Sequence, residues 1–243
     1  MDAVFLSEQI DVRDRSRGLS HWILPFAFAV ASILAISIDI RIASVFKNGL
    51  PKSLRSLGEL LENCETFGHG YGVTLILIAV VVLDPLKWKC LPWLISGSLG
   101  SGMMANLLKL SVHRIRPRDF DLTNATVWDT FSRGSVGVKE MQSMPSAHTA
   151  TAVGLAVMLS AIYPRGRWYF VVLAILVGLQ RITTSAHFPS DVCAGAAVGC
   201  LFGMISCMSM KPKPHLPCGG GGVSVSSVTG RRPPSIVSRA KSQ

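Results

Sequence analysis

Six apolar runs divide this chain, and they constrain its fold more than any other feature of the sequence. They lie at residues 22–40, 71–83, 91–110, 145–163, 168–181 and 189–210. A helix needs about 20 apolar residues to cross the hydrocarbon core of a bilayer. Backbone polar groups must be satisfied within the chain there, and an apolar run achieves this as a helix. We therefore predict an all-α fold, a polytopic membrane helical bundle with six transmembrane helices.

The charge composition supports a membrane environment. Charged residues make up only 16% of the chain, against about 25% in an ordinary soluble domain. The net charge of +10 would suggest a nucleic-acid partner in a soluble protein. Here the basic residues flank the apolar runs and do not form extended basic patches interleaved with aromatic residues, so we predict anionic lipid contacts and no nucleic-acid partner. The six cysteines form no disulfide or zinc pattern, and no obligate protein partner is evident.

The polar ends of the chain set its domain organisation. We expect a cytoplasmic N-terminus at residues 1–20, a membrane domain at 21–210 and a disordered basic tail at 211–243. A cleaved signal peptide is an alternative for the first run, because basic residues precede it. No clear cleavage site follows the run, so we expect an uncleaved span.

The distribution of basic residues predicts the orientation. With the N-terminus inside, 13 Lys and Arg residues lie on the cytoplasmic side and 11 on the other side. Cytoplasmic loops carry an excess of Lys and Arg, so the bias has the expected sign. We predict an integral protein of the bacterial cytoplasmic (inner) membrane, with its active site on the extracytoplasmic side.

This topology brings several polar segments to one face of the membrane. Lys109 ends the third run, residues 145–148 begin the fourth, Arg181 ends the fifth, and His187 and Asp191 begin the sixth. Ionisable residues beside membrane spans cost free energy and usually mark functional sites. Their convergence at one depth therefore predicts a single active site.

The residue types at this face are suited to phosphoryl transfer. Lys109, Arg116 and Arg181 supply cations for the phosphate oxygens, two of them as guanidinium forks. His187 is the predicted nucleophile, and Asp191 is predicted to orient its imidazole and to stabilise the cation that forms. Phosphoryl transfer depends mainly on such positioning and charge stabilisation.

The start of the fourth run adds an anion site. We predict Pro145 as the first residue of a helix, with Ser143 as its cap. The backbone N–H groups of Ser146, Ala147 and His148 would then point toward a phosphate. His148 is the predicted general acid, which protonates the leaving oxygen.

These motifs resemble those of the type 2 phosphatidic acid phosphatase superfamily, which also contains the vanadium haloperoxidases. The family signature is Lys-x6-Arg-Pro, then Pro-Ser-Gly-His, then Ser-Arg-x5-His-x3-Asp. Residues 109–117 match the first motif in full. Residues 145–148 match the second except at Ala147, and residues 181–191 match the third with Gln180 in place of Ser.

The resemblance implies a membrane lipid phosphatase with a four-to-five-helix catalytic core. It implies that His187 forms a phosphohistidine, that His148 is the acid, and that neither a metal nor a cofactor is needed. Phosphatidic acid, undecaprenyl diphosphate and phosphatidylglycerophosphate resemble substrates of the family, and the sequence does not choose among these lipid phosphates.

Three other functions remain open. A lipid phosphotransferase would use the same phosphohistidine, and a transporter or scaffold could retain the motifs without activity. Vanadium haloperoxidases resemble large soluble proteins, so six apolar runs argue against that activity. Other polar residues near the motifs are assigned no role: His69, His113, Arg114 and Arg133. Arg118 and Asp119 are candidates for contact with the headgroup.

Overall fold

The structure is a computed structural model that describes residues 20–131 and 142–210. The predicted cytoplasmic N-terminus, the predicted basic tail and Arg133 lie outside the described residues. Helices account for nearly all of the regular structure of the described residues. The described residues form isolated β-bridges, at Arg114 with Phe131 and with Gln142, and no strand of a sheet.

The first apolar run forms one long helical segment. Helix α1 spans Ser20–Ala35, a single 3₁₀ turn follows at Ile36–Ile38, and α2 spans Asp39–Phe46. The segment from Trp22 to Phe46 is 25 residues long, which is enough to cross a bilayer. It continues past the predicted end of the run at residue 40, and Asp39, although charged, is fully buried within it.

An amphipathic helix, α3, spans Arg55–Cys64. Leu57 and Leu60 are exposed along it, whereas Leu61 is buried against the bundle. A 3₁₀ segment, Glu65–Gly68, leads to α4, Gly70–Leu83, and the chain bends by 66° between them. This bend carries residues 65–69 toward the bundle interior.

The third run is not one regular helix. A 3₁₀ segment at Pro85–Cys90 precedes α5, Leu91–Ile95, a π-helical stretch, Ser96–Gly100, and α6, Ser101–Leu108. The hydroxyl of Ser101 donates to the carbonyl of Ala150 at 2.9 Å, so this segment packs closely against the next helix. The small residues of the run therefore form a helix-packing face, as their four-residue spacing predicts.

The last three helices complete the bundle. Helix α7 spans Ala147–Ile162, α8 spans Arg167–Thr183 and α9 spans Pro189–Ser209. Glycines on α9 allow close contact with α7: a Cβ added at Gly199 would lie 2.4 Å from the carbonyl oxygen of Ala150. Gly195, Gly199 and Gly203 form a tandem GxxxG pattern, which is typical of such helix packing.

Helix α7 lies at the centre of the apolar core. Leu155 and Met158 from α7 are fully buried with Leu94 and Val177 from its neighbours. The outer helix surfaces instead expose many large apolar side chains, including Phe26, Leu75, Val82, Trp168 and Ile175. Exposed apolar surface on this scale is typical of lipid contact.

The structure supports a helical membrane protein but leaves the six-span count as a prediction. Two helical segments are individually long and apolar enough to cross a membrane, Trp22–Phe46 and Pro189–Ser209. The bent pair formed by residues 52–68 and 70–83 makes a third if it counts as one span. Helix α7 is apolar but has only 16 residues, and α8 has 17.

Candidate active site

The predicted site residues lie together at one end of the bundle. His187 occupies the short loop between α8 and α9, and it interacts electrostatically with Lys109 and Arg116. His148, in the first turn of α7, interacts with His187 and Arg181. Side chains separated by more than 70 residues in sequence are therefore brought into one cluster by the helix ends.

The loop before α9 fixes the backbone of His187. The N–H groups of Ala186 and His187 both donate to the carbonyl of Arg181 at 3.1 Å. Ser185 adopts a positive φ of 51°, which turns the chain sharply after α8. His187 is 3% exposed as a result, and its Nδ1 atom lies 3.8 Å from Oδ2 of Asp191. This separation is just beyond a direct hydrogen bond, and such contacts often tighten when substrate binds.

Burial controls the protonation of His187. Desolvation lowers its pKa from the ordinary value of 6.5 to about 4. The Asp191 carboxylate opposes this shift, whereas the positive charges of Lys109 and Arg116 add to it. The imidazole is consequently neutral at neutral pH, which is the form that can attack phosphorus.

Asp191 is held firmly in the first turn of α9. Pro189 begins that helix, as predicted, because proline lacks the N–H that a first helical position leaves unused. The hydroxyl of Ser143 donates to Oδ2 of Asp191 at 2.6 Å, and the N–H of Phe188 donates to the same oxygen at 2.9 Å. The carboxylate therefore has a fixed orientation beside His187.

The start of α7 differs from the prediction in its first residue, which is not Pro145, and in its cap. Helix α7 begins at Ala147 and Ser146 is its N-cap, with its hydroxyl oxygen accepting from the N–H of Thr149 at 3.4 Å. The hydroxyl of Ser143, the predicted cap, instead donates a hydrogen bond to the Asp191 carboxylate. The N–H of Ser146 donates to the carbonyl of Asp191 at 3.0 Å, so this group is not directed at an anion.

The first N–H groups within α7 belong to Ala147 and His148. Helix geometry leaves the first N–H groups without an intrahelical acceptor and places a partial positive charge there. Ala147 is helical, and the positive-φ non-glycine residues of the described chain are Asn124 and Ser185. The alanine in place of the family's glycine therefore introduces no backbone strain.

The family model of the PAP2 superfamily matches residues 91–213, which is half of the chain. The chain belongs to the PAP2 superfamily. It is 29% identical over 197 residues to a lipid A 1-phosphatase of Rhizobium etli, covering 74% of this chain and 81% of that protein. It is 26% identical over 174 residues to a decaprenylphosphoryl-5-phosphoribose phosphatase of Mycobacterium tuberculosis, covering 71% and 87%.

A solved PAP2 structure shares the fold. The transmembrane PAP2-type phosphatidylglycerolphosphate phosphatase of Bacillus subtilis superposes with a TM-score of 0.57 at 17% identity. The match covers 79% of this chain and 99% of that protein. These comparisons and the apolar helices identify an integral membrane phosphatase of the PAP2 superfamily.

In this PAP2 protein the cations differ in their surroundings. Lys109 is 6% exposed at the end of α6, whereas Arg116 and Arg181 are half-buried. Nη2 of Arg181 lies 2.9 Å from Oε2 of Glu65, and its Nε donates to the side-chain oxygen of Gln180 at 2.5 Å. Arg181 is thus anchored on one side by an amide and a carboxylate.

Glu65 is a site residue that the sequence motifs do not reveal. Its Oε1 lies 3.4 Å from Nε2 of His148, and its Oε2 accepts from the amide of Gln180 at 2.9 Å. The ring of His69 stands 5.4 Å from that of His148, between ring centroids. The 66° bend after α3 brings Glu65 and His69 beside His148. The spacing of residues in the sequence does not predict such a bend.

Arg114 and Asp39 form the second group that sequence reasoning missed. Both side chains are fully buried, and Nη1 of Arg114 lies 2.6 Å from Oδ1 of Asp191. Asp39 interrupts an apolar run, and a carboxylate in such a place needs a buried partner. That signal was present in the sequence, although it did not identify Arg114.

The described residues contain no preassembled metal site of the usual kind. Within residues 20–131 and 142–210, no group of three or more His, Cys, Asp or Glu side chains is placed to hold a metal ion. An open cavity of about 480 Å³ lies between residues 49–62 and the end of α8, and Gln180 is among its lining residues.

Proposed function

We propose that this PAP2 protein hydrolyses a phosphomonoester or diphosphate of a lipid through a phosphohistidine on His187. One observation carries the proposal: a buried, neutral imidazole lies beside the Asp191 carboxylate and interacts electrostatically with the Lys109 and Arg116 cations. A carboxylate that orients an imidazole beside an anion-binding cluster is the arrangement required for nucleophilic attack on phosphate.

The first step transfers the phosphoryl group to the enzyme. Nε2 of His187 attacks phosphorus, and the bond between phosphorus and the lipid oxygen breaks. Asp191 stabilises the imidazolium character that develops, because attraction between the two groups grows as the bond forms. His148 donates its proton to the departing oxygen, while Lys109 and Arg116 bind the phosphoryl oxygens.

The second step regenerates the enzyme with water. A water molecule attacks the phosphohistidine, His148 accepts its proton, and the bond from phosphorus to His187 breaks. Inorganic phosphate leaves, and both histidines return to their starting protonation states. Burial and the surrounding cations favour neutral His148 in the free protein, so it gains its proton when the phosphate binds, and the Glu65 carboxylate, 3.4 Å away, stabilises that proton.

The substrate class follows from what the relatives share. Their names describe phosphatases of lipid A, of phosphatidylglycerolphosphate and of a decaprenyl-linked phosphoribose, and each acts on phosphate at the headgroup of a lipid. We propose lipid A 1-phosphate as the first substrate to test.

The membrane arrangement is part of the proposal. Residues 21–210 would form six spans, and the bias of 13 to 11 basic residues supports an active site on the extracytoplasmic side of a bacterial inner membrane. The apolar outer surfaces of α4 and α8 support lipid contact for helices shorter than an ordinary span.

Phosphate release in detergent tests the function. Purified protein is incubated in excess EDTA with lipid A bearing a 1-phosphate, phosphatidic acid, undecaprenyl diphosphate and phosphatidylglycerophosphate. We expect release from at least one lipid by the wild type and none by His187→Ala of equal thermal stability. Release that persists in His187→Ala would refute the nucleophile, and loss of release in EDTA would refute metal independence.

Trapping the intermediate separates hydrolysis from transfer. With substrate labelled in the phosphate, denaturation in alkali during turnover should leave acid-labile label on the wild type and none on His187→Ala. Free phosphate as the labelled product supports the phosphatase. Label that appears only on an added alcohol acceptor would support a lipid phosphotransferase instead. A folded protein that takes up no label from any lipid would support an inactive membrane protein.

A further inference from the structure

Arg114 links two carboxylates inside the bundle. Its Nη1 donates to Oδ1 of Asp191 and to the hydroxyl of Ser190, both at 2.6 Å. Its Nη2 donates to Oδ2 of Asp39 at 2.7 Å, and its Nε donates to the hydroxyl of Thr130 at 3.1 Å. Every nitrogen of the guanidinium group therefore donates a hydrogen bond, and the side chain is fully buried.

Two aromatic rings complete this enclosure. The guanidinium carbon of Arg114 lies 4.1 Å from the ring centroid of Phe188 and 4.7 Å from that of Phe131. Both distances lie within the range of cation–π attraction. The guanidinium group consequently has one orientation, and it transmits that orientation to the Asp191 oxygen that it binds.

Asp39 belongs to the first apolar run but is bound to the start of α9. Its Oδ1 accepts from the N–H of Ser190 at 3.0 Å, and its Oδ2 accepts from the Ser190 hydroxyl at 2.5 Å. Ser32, in α1, donates through its hydroxyl to the carbonyl of Ser190 at 2.8 Å. The first run is thus bonded directly to the turn of helix that carries Asp191.

A second set of contacts ties the end of the first run to the phosphate-binding loop. The ammonium group of Lys47 donates to the carbonyls of Pro117, Arg118 and Phe120 at 2.7 to 3.0 Å. Ser185, two residues before His187, donates through its hydroxyl to the carbonyl of Phe46 at 2.9 Å. The first run therefore contacts both the loop of Arg116 and the loop of His187.

The charge of this buried group bears on catalysis. Asp39, Arg114 and Asp191 are each fully buried, and together they carry one net negative charge. A buried ion pair is rarely retained for stability alone, because desolvation offsets much of its attraction. The attraction between this group and His187 grows when that imidazole becomes cationic during attack.

We propose that Arg114 and Asp39 are positioning residues for phosphoryl transfer, which hold the Asp191 carboxylate against His187 and make the first membrane helix part of the catalytic framework. The inference rests on the proposed function. It concerns a residue outside the family match, since Asp39 precedes residue 91. It also requires that the first apolar run remains in the mature protein.

Titration of His187 tests the inference without relying on activity. The charged and titratable groups around His187 are Asp191 from α9, Lys109 from the end of α6, Arg116 from the following loop and His148 from α7. NMR of protein labelled in histidine follows the ring signal that disappears in His187→Gln. The variants are Arg114→Gln, Asp39→Asn and the double variant, with Arg165→Gln on an exposed turn as the control.

Opposite shifts are the expected result. Arg114→Gln removes a positive charge next to Asp191, so the pKa of His187 should rise by about one unit. Asp39→Asn removes a negative charge, so it should fall by a similar amount, and the double variant should return close to the wild type. Loosened packing alone would not shift the two single variants in opposite directions. Equal or absent shifts in folded variants would overturn the inference.

Steady-state kinetics provide a second test of the inference. Each single variant should lower kcat by roughly ten- to a hundredfold, as loss of an outer partner of a functional histidine does elsewhere, with KM changed less than about threefold. Arg114→Lys keeps the charge and should restore part of the rate if Arg114→Gln fails to fold. Opposite titration shifts in a protein that releases no phosphate would refute the proposed function alone, whereas full activity without shifts would refute this inference alone.

Discussion

Replacing Asp191 with asparagine should slow turnover without weakening substrate binding. The substitution keeps the size of the side chain and removes the charge that faces His187. In the resting protein His187 is neutral, so the ground state loses little. The transition state loses more, because the imidazole becomes cationic as it bonds to phosphorus and the matching carboxylate is gone.

The separation of the two groups sets the magnitude. Nδ1 of His187 lies 3.8 Å from Oδ2 of Asp191. At an effective dielectric constant of about 20, unit charges at this distance attract by about 4 kcal/mol. A loss of that size corresponds to about a thousandfold in kcat. The amide nitrogen of the asparagine would face a hydrogen-bond donor in either orientation, the guanidinium group of Arg114 or the N–H of Phe188. The side chain would therefore also lose its fixed orientation.

Initial rates of phosphate release over a range of lipid concentrations provide the assay. We expect kcat to fall about a thousandfold and KM to stay within about threefold of the wild type. Asp121→Asn, the same chemical change on an exposed loop, is the matched control and should retain full activity. A folded Asp191→Asn variant with kcat within tenfold of the wild type would contradict the role given to Asp191.

Four further predictions follow from the same geometry. The acid limb of kcat/KM, corrected for ionisation of the substrate phosphate, should lie near pH 4, because burial lowers the pKa of His187 to about 4; a limb near 6.5 would contradict this. In the unfolded chain His187 has its ordinary pKa, so it takes up a proton at a higher pH than it does in the folded protein. The free energy of unfolding should therefore decline as the pH falls from 6.5 toward 4, and thermal unfolding at a series of pH values would detect this. Gly195→Ala should destabilise the protein by about 1–3 kcal/mol, because its Cβ would lie 2.4 Å from the carbonyl oxygen of Ser146. A Cβ added at Gly70 meets no atom within 4 Å, so Gly70→Ala is the control and should leave the free energy of unfolding unchanged in the same assay. Glu65→Gln should strengthen inhibition by inorganic phosphate by roughly tenfold, because the carboxylate competes for the same cations; unchanged inhibition would argue against that competition.

Much of the fold and the motif positions could be predicted from local patterns. Apolar runs marked the helices, and the Pro189 start placed Asp191 in the first turn of α9. The four-residue spacing to His187 then put imidazole and carboxylate side by side. Small residues at Gly195 and Gly199 predicted the close contact with α7. These features depend on neighbours in sequence, which is why sequence reasoning captured them.

Other features depend on contacts between distant parts of the chain. Ser143 and Ser146 are equally good caps by residue type, and the choice is decided by Asp191, which binds the Ser143 hydroxyl 48 residues away. Arg114 meets Asp39 across 75 residues. The count of membrane spans is equally indirect, since helices as short as 16 residues depend on their neighbours for a place in the bilayer.

The site therefore has two electrostatic sides with different consequences for the enzyme. On the dry side, Asp39, Arg114 and Asp191 are fully enclosed, and their interactions change only when His187 gains charge. On the wetter side, Glu65 is 29% exposed and pairs with Arg181, so it exchanges with water and with an incoming phosphate. A change on the dry side should alter kcat at constant KM, because substrate never touches it. A change on the wetter side should alter phosphate affinity first, because the carboxylate and the substrate are alternative partners of one arginine.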